Sequence, residues 1–150
     1  MLGVLIMEKN IEWLKKNLVT IYDQNPYINL LDIQIDILKE GQAELSMPVT
    51  AGKHTNLYNI AHGGALASLA DTVMGIACAT TGKKVVTLDL NMNFIKGAIP
   101  QSEIKAYGKV VHNGKNTMVA EGEIFDSEKQ LLVKSRATFF VTGMFEEEKE

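Results

Sequence analysis

A chain of 150 residues, 46% hydrophobic and 22% charged, has the make-up of one soluble globular domain that can bury a core without staples. A net charge of −3 at pH 7 gives no basic surface for nucleic acid or an anionic membrane. The single cysteine, Cys78, rules out an internal disulfide and suits a reducing, cytoplasmic setting.

The opening MLGVLIMEKN carries an apolar run too short to span a bilayer. It lacks the basic region and small-residue cleavage site of a signal peptide, and Met7 is an alternative start to Met1. Apolar Ile11, Leu14, Leu18 and Ile21, with lysines between, predict an amphipathic helix over about 7–24. Pro26 closes it, because the residue before a proline is pushed out of the α region.

From Tyr27 to Leu38 the period changes to two: Ile33, Ile35 and Ile37 alternate with Asp32, Gln34 and Asp36, as in a half-buried strand. KEGQ is a turn, AELSMPV a second strand stopped by Pro48, and residues 51–61 a polar loop. Residues 62–81 read as a helix that is apolar around most of its circumference and therefore buried, ended by Gly82. Four strand-like segments follow, 84–96, 102–112, 116–126 and 130–142, joined by KGAIPQ, HNGK and DSEK. The EEEKE end closes a solvated acidic tail over 145–150.

The order is helix, two strands, buried helix, four strands. It implies an α+β fold in which a six-stranded antiparallel sheet wraps around one long central helix. In the third strand Val85, Thr87, Asp89, Asn91 and Asn93 share one face, and Val86, Leu88, Leu90, Met92 and Phe94 the other. The apolar face is expected to cover the central helix.

His62, Gly63 and Gly64 open that helix, where backbone amides lack internal acceptors and the dipole favours negative charge. Glycine lets a substrate approach the backbone, so this tip suits an oxyanion, the plain alternative being an ordinary helix start. Asp71 stands inside the apolar run, where a carboxylate is seldom buried unpaired. It either bonds a neighbour such as Thr72 or faces a cleft as a general base or nucleophile, with Thr87 a candidate partner.

Seven residues at 1.5 Å each separate Gly64 from Asp71 by about 10 Å along the axis. A base and an oxyanion donor must both reach one reacting group, so two subunits have to supply them. That predicts an obligate homodimer with two composite sites.

Other candidates fail on pattern. Ser68 is not in a nucleophile elbow. His54, His62 and His112 lack metal-ligand spacing. No Walker or Rossmann phosphate loop occurs, and Cys78 reads as a small core residue.

Asn56, the run HGGALASLADT and the run VTLDLNMNFIKGA together resemble the hotdog-fold acyl-CoA thioesterases of the phenylacetate-pathway (PaaI-like) type, over about residues 27–142. The resemblance implies hydrolysis of an acyl-CoA to free acid and CoA, with no metal or bound cofactor. It implies Asp71 as catalytic acid, the Gly64 amide as oxyanion donor with His62 beside it, and Asn56 and Thr87 positioning water or substrate. Sites between subunits are implied as well, with homodimers pairing into homotetramers.

Gly63, Leu57 and Tyr58 are then candidates for contact with the acyl end, and Lys96, Lys109 and Lys115 for the CoA phosphates. A non-catalytic acyl-CoA binding module, a hotdog dehydratase or hydratase, and a purely structural dimer remain the alternatives.

Overall fold

The computed structural model describes residues 2–146, with side-chain surroundings from Glu12 onward. The acidic tail beyond Glu146 and the side chain of Ile11 therefore lie outside the described residues. The first helix, α1, runs Leu2–Asp23 and starts earlier than the periodicity predicts. Leu14 and Leu18 are buried against Ala79, with Trp13, Tyr22, Leu38 and Phe145 packed around them. Residues 14, 18 and 22 keep one face at a spacing of four, so Tyr22 turns inward and Ile21 stays exposed.

Pro26 does more than end α1. Asn25 Oδ1 accepts the amides of Tyr27 at 3.1 Å and Ile28 at 3.4 Å, and Pro26 begins a separate short helix, α2, Pro26–Leu30. A proline in the first helical position has the right φ and lacks an amide that would be orphaned anyway. Residues 27–30, expected in a strand, are helical for this reason. The strand β1 is confined to Gln34–Lys39. A register shift between Ile35 and Ile37 then turns Ile37 outward and Leu38 inward, breaking the alternation of isoleucines read from the sequence.

The remaining elements follow the expected order: β2 Gln42–Pro48, α3 Gly63–Ala79, β3 Lys83–Phe94, β4 Glu103–Asn113, β5 Thr117–Phe125 and β6 Leu131–Met144. The six strands form one antiparallel sheet in the order β1-β2-β4-β5-β6-β3. The sheet wraps α3, the hotdog arrangement the resemblance implies. Leu69, Val73 and Met74 of α3 are fully enclosed, each burial being worth about 1.5–3 kcal/mol.

Helix and sheet meet most closely at Gly108, where an added Cβ would lie 2.5 Å from the Val73 carbonyl oxygen. Only glycine lets the helix backbone sit directly on β4 there. Gly82, at φ +93°, lets the chain leave α3 and enter β3.

The faces of β3 depart from expectation. A bulge between Thr87 and Asp89 changes the alternation midway, so Val85 packs on the core from one half of the strand and Leu90 and Met92 from the other. Leu88, expected over the helix, is 60% exposed, and Val86 and Phe94 are exposed with it. β3 is an edge strand, so its outer apolar side chains and its free backbone edge lie together on the surface. Among the described residues no helix is long and apolar enough to cross a membrane.

Candidate active site

His62 has extended backbone geometry, φ −63° and ψ 136°, and caps α3. Its Nδ1 accepts the Gly64 amide at 2.8 Å, which fixes the imidazole as the neutral tautomer carrying its proton on Nε2. The amides of Ala65 and Leu66 donate to the His62 carbonyl. The Gly63 amide has no acceptor among the described residues, and a Cβ at Gly63 would lie 3.4 Å from the Phe94 ring. The tip of α3 therefore offers one open donor, Gly63, beside an aromatic face. Gly64, the expected oxyanion donor, has its N–H already committed to the imidazole.

The tip is held from behind by His54, which is buried. Its Nδ1 accepts the Thr50 amide at 3.0 Å, its Nε2 donates to the Leu31 carbonyl at 2.7 Å, and its own carbonyl accepts the His62 amide at 2.7 Å. His54 is thus a strut between the end of α2 and the start of α3. Asn56 organises the loop before the helix: its Oδ1 accepts the amides of Tyr58 at 2.9 Å and Ile60 at 3.3 Å. Leu57 and Tyr58 stand at the exposed tip of this loop, 97% and 82% accessible, and line no cavity beside Asp71 in their own chain.

Two turns along α3 lies Asp71. Thr87 Oγ1 donates to Asp71 Oδ1 at 2.7 Å, while Oδ2 has no hydrogen-bond partner among the described residues. The local alternative, a bond from Thr72, does not form, because the Thr72 hydroxyl donates to the Ser68 carbonyl at 2.6 Å. Asp71 and Thr72 border a cavity of about 210 Å³. α2 supplies one wall through Tyr27 and Ile28, α3 another through Gly75 and Ile76, and Val85 and Phe139 of the sheet form its floor, the mouth standing open to solvent.

Ser68 donates to the Gly64 carbonyl at 2.8 Å, so the 2.7 Å contact between the Tyr27 and Ser68 hydroxyls has Tyr27 as donor. Tyr22, Tyr27 and Ile28 went unnoticed as site residues in the sequence. The pair Asn25-Pro26 was the available signal, a capping residue followed by a first-position proline that turns the chain back over α3.

The three candidate lysines are not brought together. Lys96 pairs with Asp126 at 3.6 Å and bonds Gln130. Lys115 sits in the turn between β4 and β5. Lys109 points away from α3, on the side of β4 opposite to Gly108, which removes it from any site at the helix. Asp126 itself is held below the usual carboxylate range, first by the Gln130 amide. Burial pushes the Cys78 thiol up to about 12, consistent with an inert core residue, and raises the Tyr22 phenol as well. Among the described residues no cluster of three or more His, Cys, Asp or Glu could hold a metal ion.

The chemistry available is that of a carboxylate with one oxygen fixed and the other open to a cavity, and a helix tip with an open amide. Gly63 and Asp71 stand eight residues apart on one helix, about 12 Å along its axis.

Comparison with known proteins places this geometry among relatives. Residues 58–133 match the model of the thioesterase superfamily. The chain is similar to the acyl-coenzyme A thioesterase PaaI of Escherichia coli, 31% identical over 121 residues, which cover 81% of this chain and 86% of that one. The solved structure of the E. coli PaaI protein superposes with a TM-score of 0.83 at 29% identity, covering 87% of this chain and 94% of the other. A Streptococcus mutans protein solved with acetyl-CoA bound superposes with a TM-score of 0.73 at 29% identity, covering 76% and 91%.

Proposed function

The chain belongs to the thioesterase superfamily and is a thioester hydrolase, and from that premise we propose that it cleaves acyl-CoA at composite sites between the two subunits of a homodimer. Asp71 Oδ2 takes a proton from water, which adds to the thioester carbonyl. Charge developing on the carbonyl oxygen is met at the α3 tip of the partner subunit. The tetrahedral intermediate then collapses, the C–S bond breaks, and the proton held by Asp71 passes to the departing thiolate, so that the acid and CoA thiol leave and the carboxylate is restored.

The observation that carries this reading is the Thr87–Asp71 bond of 2.7 Å. It orients a carboxylate that no other described residue satisfies, at the edge of a pocket open to solvent. A thioester is already activated, so a positioned base and an oxyanion site suffice in kind. The open Gly63 amide is the first oxyanion donor. The Gly64 amide joins it only if His62 turns away. Asn56, through Nδ2, and the polar rim of its loop are assigned to the substrate end nearest the tip.

The dimer reading rests on the separation of about 12 Å between Gly63 and Asp71 and on β3, whose free edge and outward Val86 and Leu88 form the kind of surface a second copy covers. Leu57 and Tyr58, exposed at the tip of their loop, are assigned to the acyl-CoA, and Lys96 and Lys115 remain the candidates for CoA phosphates.

Release of free thiol from a panel of acyl-CoAs tests the activity. The parent is expected to release thiol, and Asp71→Asn to bind the same acyl-CoA without releasing it. Equal rates in both would remove Asp71 from the mechanism; binding without release in both would favour a binding module.

A further inference from the structure

We propose, on the reading of the Gly63 amide as oxyanion donor, that His54 is a positioning residue for the hydrolysis and sets the direction of that amide through its bond to the end of α2. His54 is a buried ionisable residue that touches no reacting group, 1% exposed. Packing alone would be met by an apolar side chain of similar size, whereas a buried imidazole is tolerated only when both nitrogens are bonded.

All four polar groups of His54 are engaged, and they reach separate pieces of chain. The His54 amide donates to the Thr50 carbonyl at 2.9 Å and Nδ1 accepts the Thr50 amide at 3.0 Å, which closes a local turn. Nε2 donates at 2.7 Å to the carbonyl of Leu31, the residue that caps the end of α2. The His54 carbonyl accepts the His62 amide at 2.7 Å. That bond closes a small hairpin over 54–62, in which Thr55 bridges to Ala61 and the Asn56 amide donates to the Ile60 carbonyl at 2.9 Å.

The consequence falls on one peptide group, the plane between His62 and Gly63 that carries the open amide. From the helix side the His62 carbonyl is held by the amides of Ala65 at 2.9 Å and Leu66 at 3.2 Å. From the loop side His62 is held by the His54 carbonyl. The Gly63 N–H is therefore aimed before substrate arrives, and the catalytic value of such a donor lies in that preorganisation. The anchor behind it is the bond to Leu31, because the Thr50 contacts stay within the loop. Lys53 runs a parallel link to Asp32 at 2.6 Å, but the two side chains are 39% and 44% exposed, and an exposed ion pair holds its partners weakly. The Ala61 amide also donates to the Ala98 carbonyl at 2.8 Å, so loss of the imidazole tilts the tip rather than releasing it.

The experiment measures kcat and KM for one acyl-CoA, with Tm, in the parent, His54→Gln, His54→Asn, His54→Leu and Lys53→Ala, and repeats the His54 variants in the Gly63→Pro background. Glutamine reaches as far as Nε2 and can still donate to Leu31. Asparagine keeps an acceptor for Thr50 and loses Leu31, and leucine fills the space with neither bond, standing in if the asparagine variant does not fold. Misplacing a catalytic group by about 1 Å costs on the order of 10²-fold. His54→Asn and His54→Leu are expected to lower kcat by roughly 10- to 100-fold with KM little changed. His54→Gln keeps most of the rate, and Lys53→Ala has the kcat of the parent. In the Gly63→Pro background the His54 variants are expected to cost nothing further in kcat, because the amide they aim is gone. The same factor lost in both backgrounds, an asparagine variant as fast as the glutamine one, or an equal loss in Lys53→Ala would overturn the role of His54 alone. A Gly63→Pro enzyme as fast as the parent would instead remove the oxyanion reading, and the role of His54 with it.

Discussion

Thr87 on β3 donates a hydrogen bond of 2.7 Å to Asp71 on α3, tying the only carboxylate of a helix otherwise made of small and apolar residues to the edge strand of the sheet. The bond exists because the bulge after Thr87 keeps this residue facing the helix, while Leu90 takes over the inward position further along.

Asp71→Asn is expected to lower kcat by about 10²- to 10⁴-fold, the usual contribution of a positioned general base, with KM little changed. Thr87→Val keeps the shape and removes the donor. A hydrogen bond to a charged group is worth about 1.5–3 kcal/mol, so a loss of roughly tenfold or more in kcat is expected, with Thr87→Ser retaining most of the rate. Steady-state kinetics on one acyl-CoA decide it; a Thr87→Val enzyme as fast as the parent would make the bond merely structural.

Gly63→Pro removes the open amide at the first helical position, where proline is well tolerated. Its kcat is expected to fall by about 10²- to 10³-fold, as when one oxyanion donor is lost. Co-expression of Gly63→Pro with Asp71→Asn then asks which chains share a site. If the groups come from different subunits, each mixed dimer regains one intact site, and about a quarter of parent activity returns. No recovery would mean that both groups act from one chain.

His62→Ala removes the side chain that caps α3. The loss is expected to be about 1 kcal/mol, or roughly 2–4 °C in Tm, with His62→Asn close to the parent because asparagine can accept the same amide. Thermal denaturation of the three proteins measures this directly.

Gly108→Ala places a methyl group 2.5 Å from the Val73 carbonyl oxygen, on backbone that cannot swing aside. Destabilisation of about 3 kcal/mol or more is expected from such overpacking. A urea midpoint equal to that of the parent would show that α3 can lift from β4 at no cost.

Cys78 keeps its proton in the folded state until pH about 12, above its ordinary 9.0, because burial opposes the thiolate. The unfolded chain loses that proton first, so it binds fewer protons than the native state between these values, and stability falls as pH rises through this window. Native protein is expected not to react with a thiol reagent at pH 8, and to react fully in urea. Cys78→Ala should flatten the decline in urea midpoint between pH 8 and pH 10.

The reading of the chain by period alone located α3 and the four C-terminal strands, because one enclosed helix must be apolar all round, and it singled out Asp71 because a carboxylate stands out within such a helix. The separation of the α3 tip from Asp71 was legible too, since a helix rise of 1.5 Å per residue is fixed whatever the fold. It misjudged residues 27–30, Ile37 and Leu88, and it did not foresee the bond from the Gly64 amide to His62. Each of those is set by something outside its own periodicity: a cap and a proline that start α2, two bulges that reverse side-chain direction, and an imidazole that folds back onto the next amide but one. Such choices are made by which hydrogen bonds and contacts the packed chain can satisfy together, and only the tertiary structure decides among them.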